Sequence, residues 1–167
     1  EADIFIYTRK FMEPWVEDIL KSVTNKNLSV VDASQGTEMI PGVFHDKDEP
    51  TGSIDPHIWL NFDNAKIMAA NIEEGFIKID SHNSAVYRQK SDDYKNGLTS
   101  LDTKYRTALT DCQSKEIIYG GHYAFGYLAD RYGLRYLAAQ GVSPDAEPTA
   151  SDLATLVEQI KKNHIQY

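Results

Sequence analysis

The sequence predicts an α/β protein: two parallel-sheet α/β lobes joined by one long rigid helix, incomplete at its N- and C-termini. Three observations carry this. Short apolar runs alternate with amphipathic helical runs near the start of the chain and again after residue 115. That is the order in which parallel strands and their crossover helices occur. Between these regions, roughly Asn83 to Asp111 reads as one unbroken helix, and some 28 residues at 1.5 Å each would span roughly 40 Å. Such a rod is long for 167 residues and suits a connector. Finally, both ends look cut, since one strand begins almost at residue 1 and Ile165-Gln166-Tyr167 reads as the opening of another. The chain is therefore expected to be part of a larger protein, with lobes over residues 1–81 and 113–167 and the connector over 82–112.

The elements follow in order. Ala2 to Tyr7 reads as a short buried strand. A helix comes next, with Pro14 near its first turn and Phe11, Trp15, Ile19, Leu20 and Val23 on one face. Leu28 to Val31 reads as a second strand, and residues 34–54 as an aperiodic loop containing GVFHDKDEPTGS. A strand-like run is expected at His57, because Pro56 fixes its own φ and pushes Asp55 to an extended conformation. A helix from about Asp63 to Ile79 stacks Met68, Ile72 and Phe76 at helical spacing. In the long helix, Tyr87, Tyr94, Leu98, Leu101, Tyr105 and Ala108 or Leu109 recur at spacings of three, four or seven. Glu116 to Tyr119 is a strand, His122 to Tyr132 a helix stopped by Gly133, and Tyr136 to Ala139 another strand. Thr149 and Asp152 form a capping box ahead of the amphipathic helix marked by Leu153, Leu156, Val157 and Ile160.

Composition excludes several classes. Seventeen basic against 25 acidic residues give a net charge of −8, which disfavours nucleic acid and anionic membrane surfaces, since both select basic patches. No apolar stretch approaches the ~20 residues of a membrane span. No signal peptide is seen, so the chain is expected to be cytosolic or a mature exported form. Cys112 is the only cysteine, so there is no internal disulfide and no multi-cysteine zinc site. It has no evident activating partner and is expected to be a small buried apolar residue. A metal site would have to use His, Asp and Glu.

Five histidines are the candidates for chemistry. His57 stands at the stiff edge of an element, where a ligand or base would sit, or is an ordinary loop residue. His122 follows Gly120-Gly121 and opens a helix, where the positive end of the helix dipole would keep the ring neutral, as metal ligation requires. Alternatively it packs against Tyr123 and Tyr127. His45, among Asp46, Asp48 and Glu49, collects cations weakly or is solvated. His82 and His164 read as structural. Motifs for phosphate loops, dinucleotide binding, serine hydrolases and zinc peptidases are absent.

DPHIWLNFDNAKIMAANI, the Tyr-punctuated helix and GGHYAFGYLADRYGLRYLAAQGVSPDAEPTASDLATLVEQIKK together resemble the zinc/manganese solute-binding proteins of bacterial ABC importers, as does the opening ADIFIYTRKFMEPWVEDIL. The resemblance covers nearly all of the chain. It implies two α/β lobes with a metal held in the cleft between them, and capture of Zn2+, with Mn2+ less favoured, for delivery to an ABC importer membrane permease. It implies a periplasmic location, or lipid anchoring on the outer face of the cytoplasmic membrane. Of the family's four metal-binding positions, two fall on this chain: the histidine of the DPHxW motif corresponds to His57, and the position before Ala-Phe-Gly-Tyr to His122. Histidine at the latter is the zinc-type choice. FHDKDEPTG resembles a shortened form of the family's acidic loop, making His45 an auxiliary contact. No enzyme activity is expected. The alternative function is a metal-stabilised cell-surface adhesion or structural lipoprotein. A metallohydrolase using Asp55, His57 and His122 is disfavoured, because no base or nucleophile stands out. Truncated sheet edges raise the expectation of a dimer or domain swap.

Overall fold

The computed structural model describes residues 2–42, 53–142 and 147–165. The order of elements is β1 (Ile4–Tyr7), α1 (Val16–Ser22), β2 (Ser29–Asp32), α2 (Phe62–Ile79), α3 (Ser84–Thr110), β3 (Glu116–Tyr119), α4 (Gly126–Tyr132), β4 (Arg135–Ala138) and α5 (Ala150–Lys162). Short 3-10 turns cover Ile58–Leu60 and Ser81–Asn83. Among the described residues the expected alternation gives two two-stranded parallel sheets, β1–β2 and β3–β4. Among the described residues no helix is long and apolar enough to cross a membrane.

The chain divides into two compact units, Glu1–Glu38 with Phe62–Lys104 and Met39–Asn61 with Tyr105–Tyr167. Residues 39–61 therefore group with the later part of the chain rather than with 1–38, and α3 runs on from one unit into the other.

In the first unit, β1 pairs with β2 from Ile4↔Ser29 to Tyr7↔Asp32 and α2 packs against both strands. Two asparagines of α2 satisfy the backbone that leaves β2. Asn64 is buried and exchanges hydrogen bonds of 2.8 Å with the Glu38 N–H and carbonyl, and Asn71 donates to the Ala33 and Gln35 carbonyls. α2 and α3 are joined by Glu73, whose carboxylate takes Lys95 at 3.2 Å and Arg88 at 3.7 Å. Ser91, Lys95 and Arg88 beside it hold this carboxyl below the usual range, the Ser91 hydroxyl contributing most.

α1 is shorter than expected: it runs over Val16–Ser22, so Phe11, Trp15 and Val23 fall outside it, and they and Ile19 are exposed while Val16 is buried. β1 is only partly buried, with Ile6 exposed.

In the second unit, β3 and β4 pair from Glu116↔Arg135 to Tyr119↔Ala138. Tyr123, Ala129, Tyr136 and Ala138 form the buried cluster, with Ile117, Phe125, Leu134 and Val142 packed on it. α4 ends as expected at Gly133, left-handed at φ +61°, where the Leu134 N–H reaches the Ala129 carbonyl at 2.8 Å. The predicted capping box is present, the Thr149 hydroxyl accepting from the Asp152 N–H and the Asp152 carboxylate accepting from the Thr149 N–H. The strand expected over Ile165-Gln166-Tyr167 lies outside the described residues except for Ile165. The Ile165 N–H reaches back to the Ile160 carbonyl and closes α5, with His164 left-handed at φ +53°. Cys112 is exposed rather than buried, its thiol 3.0 Å from the Ser114 carbonyl just after the end of α3.

Candidate metal centre

The site belongs to the second unit, and it begins with a turn. Gly42 and Ser53 are bonded through their backbones, Pro41 bridges Ile54, and the Asp55 N–H donates to the Ile40 carbonyl at 3.1 Å. These contacts bring the chain to Asp55, which is completely buried. Its Oδ1 accepts the His57 backbone N–H at 2.9 Å, an Asx-type turn that Pro56 pre-sets. The strand expected at His57 is consequently a 3-10 turn over Ile58–Leu60. The side-chain acceptor bends the chain before a ladder can start, and buried Ile58 anchors it. His57 is itself buried, 8% exposed, with the Trp59 ring edge-on at 5.7 Å.

The same Asp55 Oδ1 lies 2.8 Å from Nδ1 of His57. One carboxylate oxygen thus holds both the backbone and the ring of the histidine. The main chain of Asp55 is fixed in turn by the Tyr127 hydroxyl, which donates to its carbonyl at 3.0 Å and accepts from the Ile40 N–H at 3.3 Å. The other carboxylate oxygen, Oδ2, is buried with no hydrogen-bond partner among the described residues and lies against Gly126. Burial, with the Asp55 charge second, pushes the Tyr123 hydroxyl up to about 12. Burial also raises Tyr136.

His122 arrives from β3 through Gly120-Gly121, as the sequence suggests, but it does not open a helix. Residues 120–125 are irregular and α4 starts at Gly126. The helix-dipole argument for a neutral His122 therefore does not apply. The ring is placed instead by backbone contacts on either side. The Tyr136 hydroxyl donates to the His122 carbonyl and accepts from the Ala124 N–H, both at 3.4 Å, and the Tyr123 N–H donates to the Gly141 carbonyl at 2.8 Å.

The result is that the His57 and His122 rings face each other, with centroids 5.3 Å apart and planes inclined by 39°. Two imidazoles bound to one tetrahedral zinc through nitrogens at ~2.0–2.1 Å hold their centroids about 5 Å apart, so the pair fits a shared ion. Among the described residues no group of three or more His, Cys, Asp or Glu side chains converges. His45 lies outside the described residues. His82 is exposed in the 3-10 turn before α3, and His164 ends α5. Sequence reasoning pairs Asp55 with His57 only as a weak hydrolase signal, misses Gly126, and takes Tyr127 only as a packing partner of His122, whereas its hydroxyl holds the Asp55 main chain. The Asp-Pro-His order is the signal that reveals the turn.

The family described as zinc-uptake complex component A, periplasmic (ZnuA), matches residues 1–167. The high-affinity zinc uptake system protein ZnuA of Bacillus subtilis (strain 168) is 35% identical over 173 residues, a match covering 99% of this chain and 54% of that protein. The zinc-binding lipoprotein AdcA of Streptococcus pneumoniae (strain ATCC BAA-255 / R6) is 32% identical over 174 residues, covering 100% of this chain and 34% of that one. The chain therefore spans about a third to a half of the length of these relatives. The crystal structure of the Zn(II)-bound ZnuA-like domain of S. pneumoniae AdcA superimposes with a TM-score of 0.77 at 33% identity, covering 100% of this chain and 59% of that chain. The laminin binding protein Lmb of Streptococcus agalactiae, described as a bifunctional protein with adhesin and metal transporting activity, gives 0.83 at 26% identity, covering 99% and 59%.

Proposed function

This chain belongs to the zinc-uptake complex component A family, and from that premise we propose that it captures Zn2+ outside the cytoplasm for an ABC importer permease. The observation that supports this best is the facing pair His57 and His122, at a spacing that suits one ion. Imidazole favours zinc over manganese, which prefers oxygen ligands. The ion is cargo, held by equilibrium binding, and no bond is made or broken. Asp55 is unsuited to act as a hydrolytic base, because its Oδ1 is taken by His57 and its Oδ2 is buried. The names of the relatives support a periplasmic or lipid-anchored location. The expected dimer or domain swap finds no support among the similar proteins.

The test is calorimetric titration of zinc into chelator-stripped protein, beside His57→Ala, His122→Ala and the double variant. Sub-micromolar binding that is lost in the variants is expected. Binding that survives both substitutions would overturn the assignment. A second reading, attachment to laminin, is supported by the adhesin activity stated for the S. agalactiae relative. It predicts laminin binding that persists in the double histidine variant.

A further inference from the structure

The metal assignment leaves a buried carboxylate unexplained. Asp55 is fully buried and its Oδ2 has no partner among the described residues, an arrangement that costs stability unless the group does something else. Its Oδ1 shows what that is. The atom lies 2.8 Å from Nδ1 of His57 and 2.9 Å from the His57 backbone nitrogen. A carboxylate oxygen accepts, so this geometry suits a ring that carries its proton on the nitrogen facing Asp55. A neutral imidazole protonated at Nδ1 keeps its lone pair at Nε2, the nitrogen left free for a metal.

Space for this carboxylate comes from α4. A Cβ added to Gly126 would stand 2.4 Å from Asp55 Oδ2 and 2.7 Å from Cε1 of Tyr123. Both neighbours are buried, so neither can retreat easily. Only glycine at 126 lets the start of α4 close over Asp55. At Gly133, just past the other end of the same helix, an added Cβ would meet nothing within 4 Å, so the crowding at 126 is not a general feature of this helix.

We propose that Asp55 is a positioning residue that locks His57 in its Nδ1–H tautomer, and that Gly126 is the residue whose missing side chain makes room for it. This rests on the reading of His57 as a zinc ligand for its consequence, but not for its geometry. Asp55→Asn keeps an acceptor for the His57 N–H while removing the charge that favours the proton on Nδ1. Gly126→Ala pushes directly on the carboxylate.

The experiment has two readouts. The first is the nitrogen chemical shifts of the His57 ring in metal-free protein, which report the tautomer without any ion. The second is zinc affinity by competition with a chromophoric chelator. Wild type is expected to show Nδ1–H. Asp55→Asn and Gly126→Ala are expected to show a growing Nε2–H fraction and a roughly 10- to 100-fold loss of affinity. Gly133→Ala should leave both unchanged. An Nε2–H ring in wild type, or wild-type affinity in Asp55→Asn with His57→Ala impaired, would overturn the proposal. Wild-type affinity in His57→Ala would sink the metal reading instead, and the ring shifts would still decide the role of Asp55.

Discussion

The imidazole rings of His57 and His122 stand with centroids 5.3 Å apart, although one follows a proline turn and the other a pair of glycines. If they share one ion, neither can bind it well without the other. Each alanine substitution should then weaken zinc by at least about tenfold, and the double substitution should cost much less than the product of the two. A competition titration of the four proteins measures this. Strictly multiplicative losses would mean two independent sites.

Gly126 in α4 and Gly133 just past its end separate backbone effects from contact effects. Gly133 is left-handed with open space around it, so Gly133→Ala should cost about 1 kcal/mol through backbone strain alone. Thermal unfolding, read in the metal-free protein, checks the value.

Much of this architecture is legible in the sequence. The capping box of Thr149 and Asp152, the stop at Gly133 and the long run of α3 are local signals, and local chemistry decides them. The failures share one cause. Ile58-Trp59-Leu60 has the composition of a strand, but a side-chain acceptor two residues before His57 turns the chain. Likewise the pattern around His122 reads as a helix that in fact begins only at Gly126, because the irregular residues between are fixed by Tyr136 and Gly141, partners distant in sequence. The apolar side chains expected on α1 fall at helical spacing, yet spacing cannot say whether anything covers them, and Trp15 and Ile19 are exposed.

High pH should loosen the second unit. The Tyr123 hydroxyl lies at about 12 in the folded chain, against 10.0 for an ordinary tyrosine. The unfolded chain therefore loses its proton first, and stability is full below about pH 10 and falls as pH rises toward 12. Urea midpoints measured between about pH 9 and 11.5 should decline, and Tyr123→Phe should flatten the decline. An unchanged slope in that variant would assign the loss to other groups.

Acid should act on the first unit through Glu73. Its carboxyl is held below the usual range, so its contribution is present above the ordinary carboxylate value and is lost as pH falls through the folded one. Glu73→Gln should destabilise the neutral protein by about 1 kcal/mol, since a charge-assisted hydrogen bond from Lys95 is lost. The gap between variant and wild type should close in acid. A constant gap would show that packing, not charge, is responsible.

The chain leaves the second unit after Asn61, builds α2 and most of α3 in the first, and returns at Tyr105 before it reaches His122. An ion gripped by both rings would therefore staple shut a covalent loop comprising every residue from His57 to His122. In chain-entropy terms, a crosslink across a loop of that size removes roughly 4 kcal/mol of freedom from the unfolded ensemble. Cargo would then double as a removable staple, and a loaded molecule would be distinguished from an empty one as much by its reluctance to unravel as by its shape.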